Sequence, residues 1–142
     1  MPRRTVPDRG GRSTFAVFTL PLLLWATAML TVSSLPADKL PGPPSLLRWD
    51  KLAHSAEFMI LAFLLVRFFR FARSRSNRRA LVLSATLGIA YAAFDEIHQH
   101  FIPLRQCTWQ DFVADSAGVL AGLVTATLWY AGHCNNGKAD GY

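Results

Sequence analysis

The chain has 142 residues, 51% of them apolar and only 17% charged, with a net charge of +6. Soluble proteins average roughly 25% charged residues. Here the charges gather in short stretches between long apolar runs that show neither a polar helix face nor strand alternation. This excludes an ordinary soluble enzyme and a disordered tail. Cys107 and Cys134 have no metal-type spacing, which excludes a disulfide or zinc scaffold. The expected class is an all-α integral membrane protein: one domain over residues 1–142, a bundle of four transmembrane helices.

A crossing helix needs about 20 mostly apolar residues, and four runs qualify. The first is Thr14–Val32, with Pro21 in its first half. A signal peptide is the competing reading. The run exceeds the roughly 7–15 residues of an h-region and no clean A-x-A site follows, so an uncleaved span is expected. Arg3-Arg4 lacks the rest of a twin-arginine signal. A proline-rich linker, Leu35–Pro44, comes next and reads as extended chain. The second run is Leu52–Phe71, with polar residues at its front and Arg67 and Arg70 at its back. The third, Ala80–Ile97, closes on Asp95 and Glu96, and Pro103 ends that helical region. The fourth, Phe112–Gly132, opens just after Asp111 and contains Asp115.

Basic residues set the orientation. Eleven precede the first span, lie at or between the second and third, or follow the fourth, whereas Lys39, Arg48, Lys51 and Arg105 fall on the other side. The positive-inside rule then puts both termini in the cytoplasm, N-in and C-in. Because the basic residues flank apolar runs, no nucleic acid is expected as a partner. The cytoplasmic arginines read as topology signals and lipid-headgroup contacts.

Seven of the nine acids lie on the outer side, with His54, His98, Gln99, His100 and Arg105. Ionisable groups within spans are costly and mark function or pairing. Asp50, His54 and Glu57 run i, i+4, i+7 and form one helical stripe. Asp95 and Gln99 are i, i+4, as are Asp111 and Asp115, which lead into the small-residue face Gly118-x-x-x-Gly122. Three helices thus offer polar stripes at one depth. The plain alternatives are Asp50 as a helix cap, His54 as an interhelical hydrogen-bonder and the Asp95-Glu96 pair in a structural salt-bridge network with Arg105 or Lys51. Gly118 and Gly122 read as packing residues.

Three ordered motifs resemble the VanZ-like family of small bacterial membrane proteins. Asp50-Lys51-Leu52-Ala53-His54 resembles its D-K-x-x-H entry, with Ser55 where many members carry an aromatic residue. Asp95-Glu96-Ile97-His98-Gln99-His100-Phe101-Ile102-Pro103-Leu104-Arg105 resembles its D-E-x-x-Q-x-F-x-P-x-R core, and Asp111-Phe112-Val113-Ala114-Asp115-Ser116-Ala117-Gly118 its D-x-x-x-D-x-x-G ending. The resemblance covers about residues 49–122. It implies a multi-pass protein of the bacterial cytoplasmic membrane. The family's name-giving member is associated with low-level resistance to teicoplanin-type lipoglycopeptides.

Three functions from different classes fit these residues. In the first, an enzyme acts on a lipid-linked envelope substrate or a phospholipid headgroup. His54, Asp95 and Glu96 would be catalytic, with His54 the general acid or base. Lys51, Gln99 and Arg105 would bind substrate, the two cations on phosphate oxygens. Asp95, Glu96, Asp111 and Asp115 would hold a hard divalent cation such as Mg²⁺. Ser55, Ser116 and Thr108 are the available hydroxyl nucleophiles. In the second, the same cleft binds a lipid or glycopeptide without turnover. In the third, the network fixes helix packing, with homo-oligomerisation a corollary of four short spans.

Overall fold

The computed structural model describes residues 14–36, 39, 50–105 and 108–139, with Asp50 and residues 133–139 described by backbone alone. The first apolar run forms α1. It starts as a π-helical turn, Phe15–Thr19, and continues as the α-helix Leu20–Ser33. The wide turn gives way at Pro21, which has no N–H to donate and whose ring would crowd the carbonyl four residues back in a regular turn.

The second run forms α2, Asp50–Arg67, extended by a π-helical turn, Phe68–Ala72. Ser74 then adopts a left-handed conformation, φ 48°, which stops the helix. Third comes α3, Asn77–Gln99, followed by a short turn in which Leu104 is also left-handed, φ 65°. Last is α4, Trp109–Ala139. All four helices are long and apolar enough to cross a membrane, the crossing segments being Phe15–Ser33, Lys51–Ala72, Asn77–Gln99 and Trp109–Gly132. No strand occurs among the described residues. The expected all-α, four-span architecture is the one observed.

Helix bounds exceed the apolar runs where polar residues join a helix. Asn77, Arg78 and Arg79 add a turn to the front of α3. Trp109, Gln110 and Asp111 add one to α4, because Thr108 caps it. Hydropathy marks the bilayer-compatible stretch, whereas capping chemistry marks the helix end.

The core is centred on α2. Phe58, Leu61, Ala62 and Leu65 are buried against Met29 of α1, Ala92 of α3 and Val119 of α4. Small residues let backbones meet. A Cβ on Gly118 would collide with the Ser55 carbonyl oxygen, and one on Gly122 with the Met59 carbonyl oxygen. The contacts advance together along both chains, so α2 and α4 run in the same direction, in backbone-to-backbone contact. Outside, Leu24, Val82, Ile97 and Leu128 are each more than half exposed. In water such a surface would be unstable, but it is what a lipid-facing perimeter requires.

The two ends of the bundle differ in charge. At one end Phe18 stacks on Phe71 with centroids 5.5 Å apart, and Phe71 meets Tyr130 edge-on at 5.2 Å. Arg67 lies over the Phe18 ring and Arg70 over the Tyr130 ring, at 5.3 and 4.7 Å. The start of α1, the end of α2 and the late part of α4 therefore share an arginine-rich end. Asp95, Glu96, Asp111 and Asp115 sit at the other.

Candidate functional site

At the acidic end the polar residues form a buried layer, a rim and a clamp. The buried layer takes one residue from each of three helices. His54 belongs to the second turn of α2, Asp95 to the last turn of α3 and Asp115 to the second turn of α4. Asp115 is fully buried and Asp95 is 4% exposed. Nδ1 of His54 lies 3.3 Å from Oδ1 of Asp115. One ligand atom from each of His54, Asp95 and Asp115 lies within 4.8 Å of the other two. Gln99 lies one turn beyond Asp95 and donates its side-chain amide to Oδ2 at 2.7 Å, as the i, i+4 spacing predicts.

In this layer Oδ1 of Asp95 and Oδ2 of Asp115 are buried and accept no hydrogen bond among the described residues. Most buried polar atoms have partners. A charge costs about 2.5–3.5 kcal/mol at the centre of a span on insertion scales and less toward its end, but these carboxylates are also shut away from water by the protein. Two converging carboxylates therefore need a positive charge or a proton between them.

The rim lies one turn further out. Nζ of Lys51 meets Oδ1 of Asp111 at 2.5 Å, with the lysine half exposed. Thr108 donates its hydroxyl to Oδ2 of Asp111 at 2.6 Å, and that hydroxyl accepts the Asp111 backbone N–H at 3.3 Å. The Thr108 N–H donates to Oε2 of Glu96 at 3.0 Å. Glu96 therefore serves the start of α4 from the end of α3.

The four carboxylates expected to share a hard cation are thus divided. Asp95 and Asp115 converge on His54, whereas Asp111 and Glu96 face the rim. Asp50 opens α2, but its side chain lies outside the described residues, as does Cys107.

Arg105 forms the clamp. Its Nε donates to the Leu35 carbonyl at 3.1 Å and a terminal nitrogen to the Val32 carbonyl at 3.0 Å. Val32 lies in the last turn of α1 and Leu35 just past it, at the helix end where cations are favoured. The expected place of Arg105 beside the acids is not where its guanidinium lies.

A family model described as VanZ/LLP1 matches residues 9–130. The chain belongs to the VanZ/LLP1 family. No curated protein matches it, and no solved structure does. The family match and the four apolar helices make it a multi-pass membrane protein of VanZ type.

All three motifs of this VanZ/LLP1 chain reach the same end of the bundle. The D-K-x-x-H stretch supplies Lys51 and His54, the D-E-x-x-Q stretch Asp95, Glu96 and Gln99, and the D-x-x-x-D stretch Asp111 and Asp115. Ser55, the departure from the expected aromatic, donates its hydroxyl to the Ala114 carbonyl at 2.6 Å. It sits against Gly118, where the α2 and α4 backbones touch.

Several contributors were not singled out by motif. Trp25 donates its indole N–H to the Glu57 carbonyl at 3.1 Å, and Tyr91 its hydroxyl to the Ala26 carbonyl at 2.8 Å. Ser34 donates to the Leu30 carbonyl at 2.6 Å and lies 2.9 Å from Nε2 of His98, so that nitrogen is the donor to the hydroxyl. These bonds fasten α1 to α2 and α3. Thr108 carried a legible signal, since Thr-x-x-Asp is the spacing of a helix-capping pair. The others are single aromatic or hydroxyl residues whose long-range partners no local pattern reveals.

Proposed function

We propose that this VanZ/LLP1 protein engages the polar headgroup of a lipid-linked envelope substrate or a phospholipid, at the outer face of the bacterial cytoplasmic membrane. One observation carries the reading: His54, Asp95 and Asp115 converge from three helices, buried, with two carboxylate oxygens unpartnered among the described residues. A network serving only packing would pair its oxygens, because buried unpaired groups cost stability. In this reading His54 moves the proton, and half-exposed Lys51 is the first cation a headgroup phosphate meets. The charge asymmetry of the two bundle ends supports an outward-facing acidic end.

A second reading, binding without turnover, has its own support. Two of the three hydroxyls available as nucleophiles are engaged structurally, Ser55 on Ala114 and Thr108 on Asp111. Covalent catalysis then has few candidates, and a protein that holds a lipid or glycopeptide needs none. The test is lipid mass spectrometry on purified protein in nanodiscs with bacterial envelope lipids, beside Asp95→Asn. A product made only by the wild type establishes turnover. A lipid retained by the wild type and lost from the variant, with no product, establishes binding. If neither occurs, the headgroup reading fails.

A further inference from the structure

We infer that His54, Asp95 and Asp115 form a binding site for one first-row transition-metal dication, of the Zn²⁺ class rather than the Mg²⁺ class. Geometry comes first. A dication of this class holds nitrogen and carboxylate oxygen ligands at about 2.0–2.2 Å in a tetrahedron, which puts pairs of ligand atoms about 3.3–3.6 Å apart. Here one ligand atom from each residue lies within 4.8 Å of the others. Small side-chain rotations close the difference. The backbones hardly need to move, since the Gly118 contact locks α2 against α4.

Burial is the independent observation. Asp115 is fully buried, and its Oδ2 accepts nothing among the described residues while its Oδ1 faces the imidazole. Asp95 turns one oxygen to Gln99 and leaves the other, Oδ1, unpartnered among the described residues. Each carboxylate thus keeps an oxygen for the cluster. The Gln99 amide holds Asp95 in orientation, as outer partners of metal ligands do.

The donor set decides the metal. Hard ions such as Mg²⁺ take oxygen ligands and retain water, whereas imidazole suits Zn²⁺, Fe²⁺ and Cu²⁺. One imidazole with two carboxylates is a mixed set that favours the transition metals. The oxygen-only quartet that would suit Mg²⁺ is not assembled, because among the described residues it is His54, not Asp111 or Glu96, whose ligand atom gathers with those of Asp95 and Asp115. A dication would also balance two carboxylates that share a dehydrated layer. The competing arrangement is a protonated His54 paired with Asp115, with no metal.

The test needs no substrate. Protein stripped with EDTA and placed in nanodiscs of plain phosphatidylcholine is titrated with Zn²⁺, and bound metal is counted after desalting. In parallel, Co²⁺ is added and its visible absorption recorded. The site predicts about one Zn²⁺ per chain, retained against roughly a hundredfold excess of Mg²⁺. Binding weakens at least about tenfold in Asp115→Asn and Asp95→Asn, and stays unchanged in Asp111→Asn. The Co²⁺ bands of the wild type shift or vanish in His54→Gln. The inference is overturned by a wild type that retains neither ion, or by wild-type binding in Asp115→Asn and Asp95→Asn. It is also overturned if Asp111→Asn loses the metal or Mg²⁺ displaces it. If a variant fails to fold, the wild-type stoichiometry and the Mg²⁺ competition still decide. With no envelope lipid present, failure here leaves the headgroup reading intact, and a missing lipid product leaves the metal site intact.

Discussion

Gly118 packs so closely on Ser55 that a single methyl group at Gly118 would overlap the Ser55 carbonyl oxygen. The obstacle is backbone rather than a flexible side chain, so it cannot rotate away. His54 and Asp115, the two residues that meet at 3.3 Å, lie one and three positions from this contact. This close backbone approach of α2 and α4 and the site are therefore one construction.

Substituting Gly118→Ala is expected to separate α2 from α4 at a cost of about 1–3 kcal/mol, the range for overpacking a filled interior. Ser55→Ala should cost less, since interhelical hydrogen bonds in membranes average about 0.6 kcal/mol. Gly132→Ala should be neutral or mildly stabilising, because nothing lies within 4 Å of a Cβ there. Thermal melts in one detergent should rank them in that order. A Gly118→Ala protein as stable as Gly132→Ala contradicts the close approach.

Arg105→Lys should behave as a loss rather than a conservative change. The guanidinium reaches two carbonyls, Val32 and Leu35, with different nitrogens. A lysine ammonium has no fixed fork with which to span them. We expect faster amide exchange at the end of α1, with the interior of α2 unaffected. Exchange spread evenly over the protein would mean that Arg105 acts elsewhere.

Thr108 caps α4 and joins it to Glu96 and Asp111. Thr108→Ala should cost about 1 kcal/mol, and Thr108→Ser should restore most of it, because serine caps equally well. Hydrogen exchange over the first turn of α4 reads this directly. If serine and alanine behave alike, the hydroxyl is not the cap.

Lys51→Ala, by contrast, should cost less than about 1 kcal/mol, because its pair with Asp111 is half exposed on the lysine side and screened by solvent. The small loss should shrink further in high salt. A large, salt-independent loss would mean that the pair is sealed from water.

The orientation has a direct test in the two cysteines, both outside the described side chains. An impermeant thiol reagent on intact cells should label Cys107, in the segment between α3 and α4, and spare Cys134 until the membrane is opened. Labelling of Cys134 alone would turn the acidic end toward the cytoplasm.

The four spans were legible because each is one uninterrupted apolar run, and the i, i+4 pairs because helical spacing is local. Asp95 with Gln99 was readable for that reason. The division of the acids was not. Nothing near Glu96 in the sequence indicates that the Thr108 N–H will take its oxygen, and nothing near Arg105 points to the end of α1, some 70 residues earlier. Those choices depend on which helices become neighbours and at what height. The Gly118-x-x-x-Gly122 face hinted at one such neighbour without naming α2. Alternating topology makes α2 and α4 parallel, and only the observed contact makes them adjacent.

The order of synthesis gives the Gly118 contact a further meaning. His54 leaves the ribosome first, Asp95 about forty residues later and Asp115 twenty after that. A nascent chain that has delivered α1, α2 and α3 carries the histidine and one carboxylate, but not the helix that α2 packs against most closely. The cluster is complete only once the final segment has entered the bilayer and slid in beside the second. Completion of the site therefore waits on insertion of the last span, and a chain truncated before Asp115 keeps His54 and Asp95 but lacks the third member of the cluster.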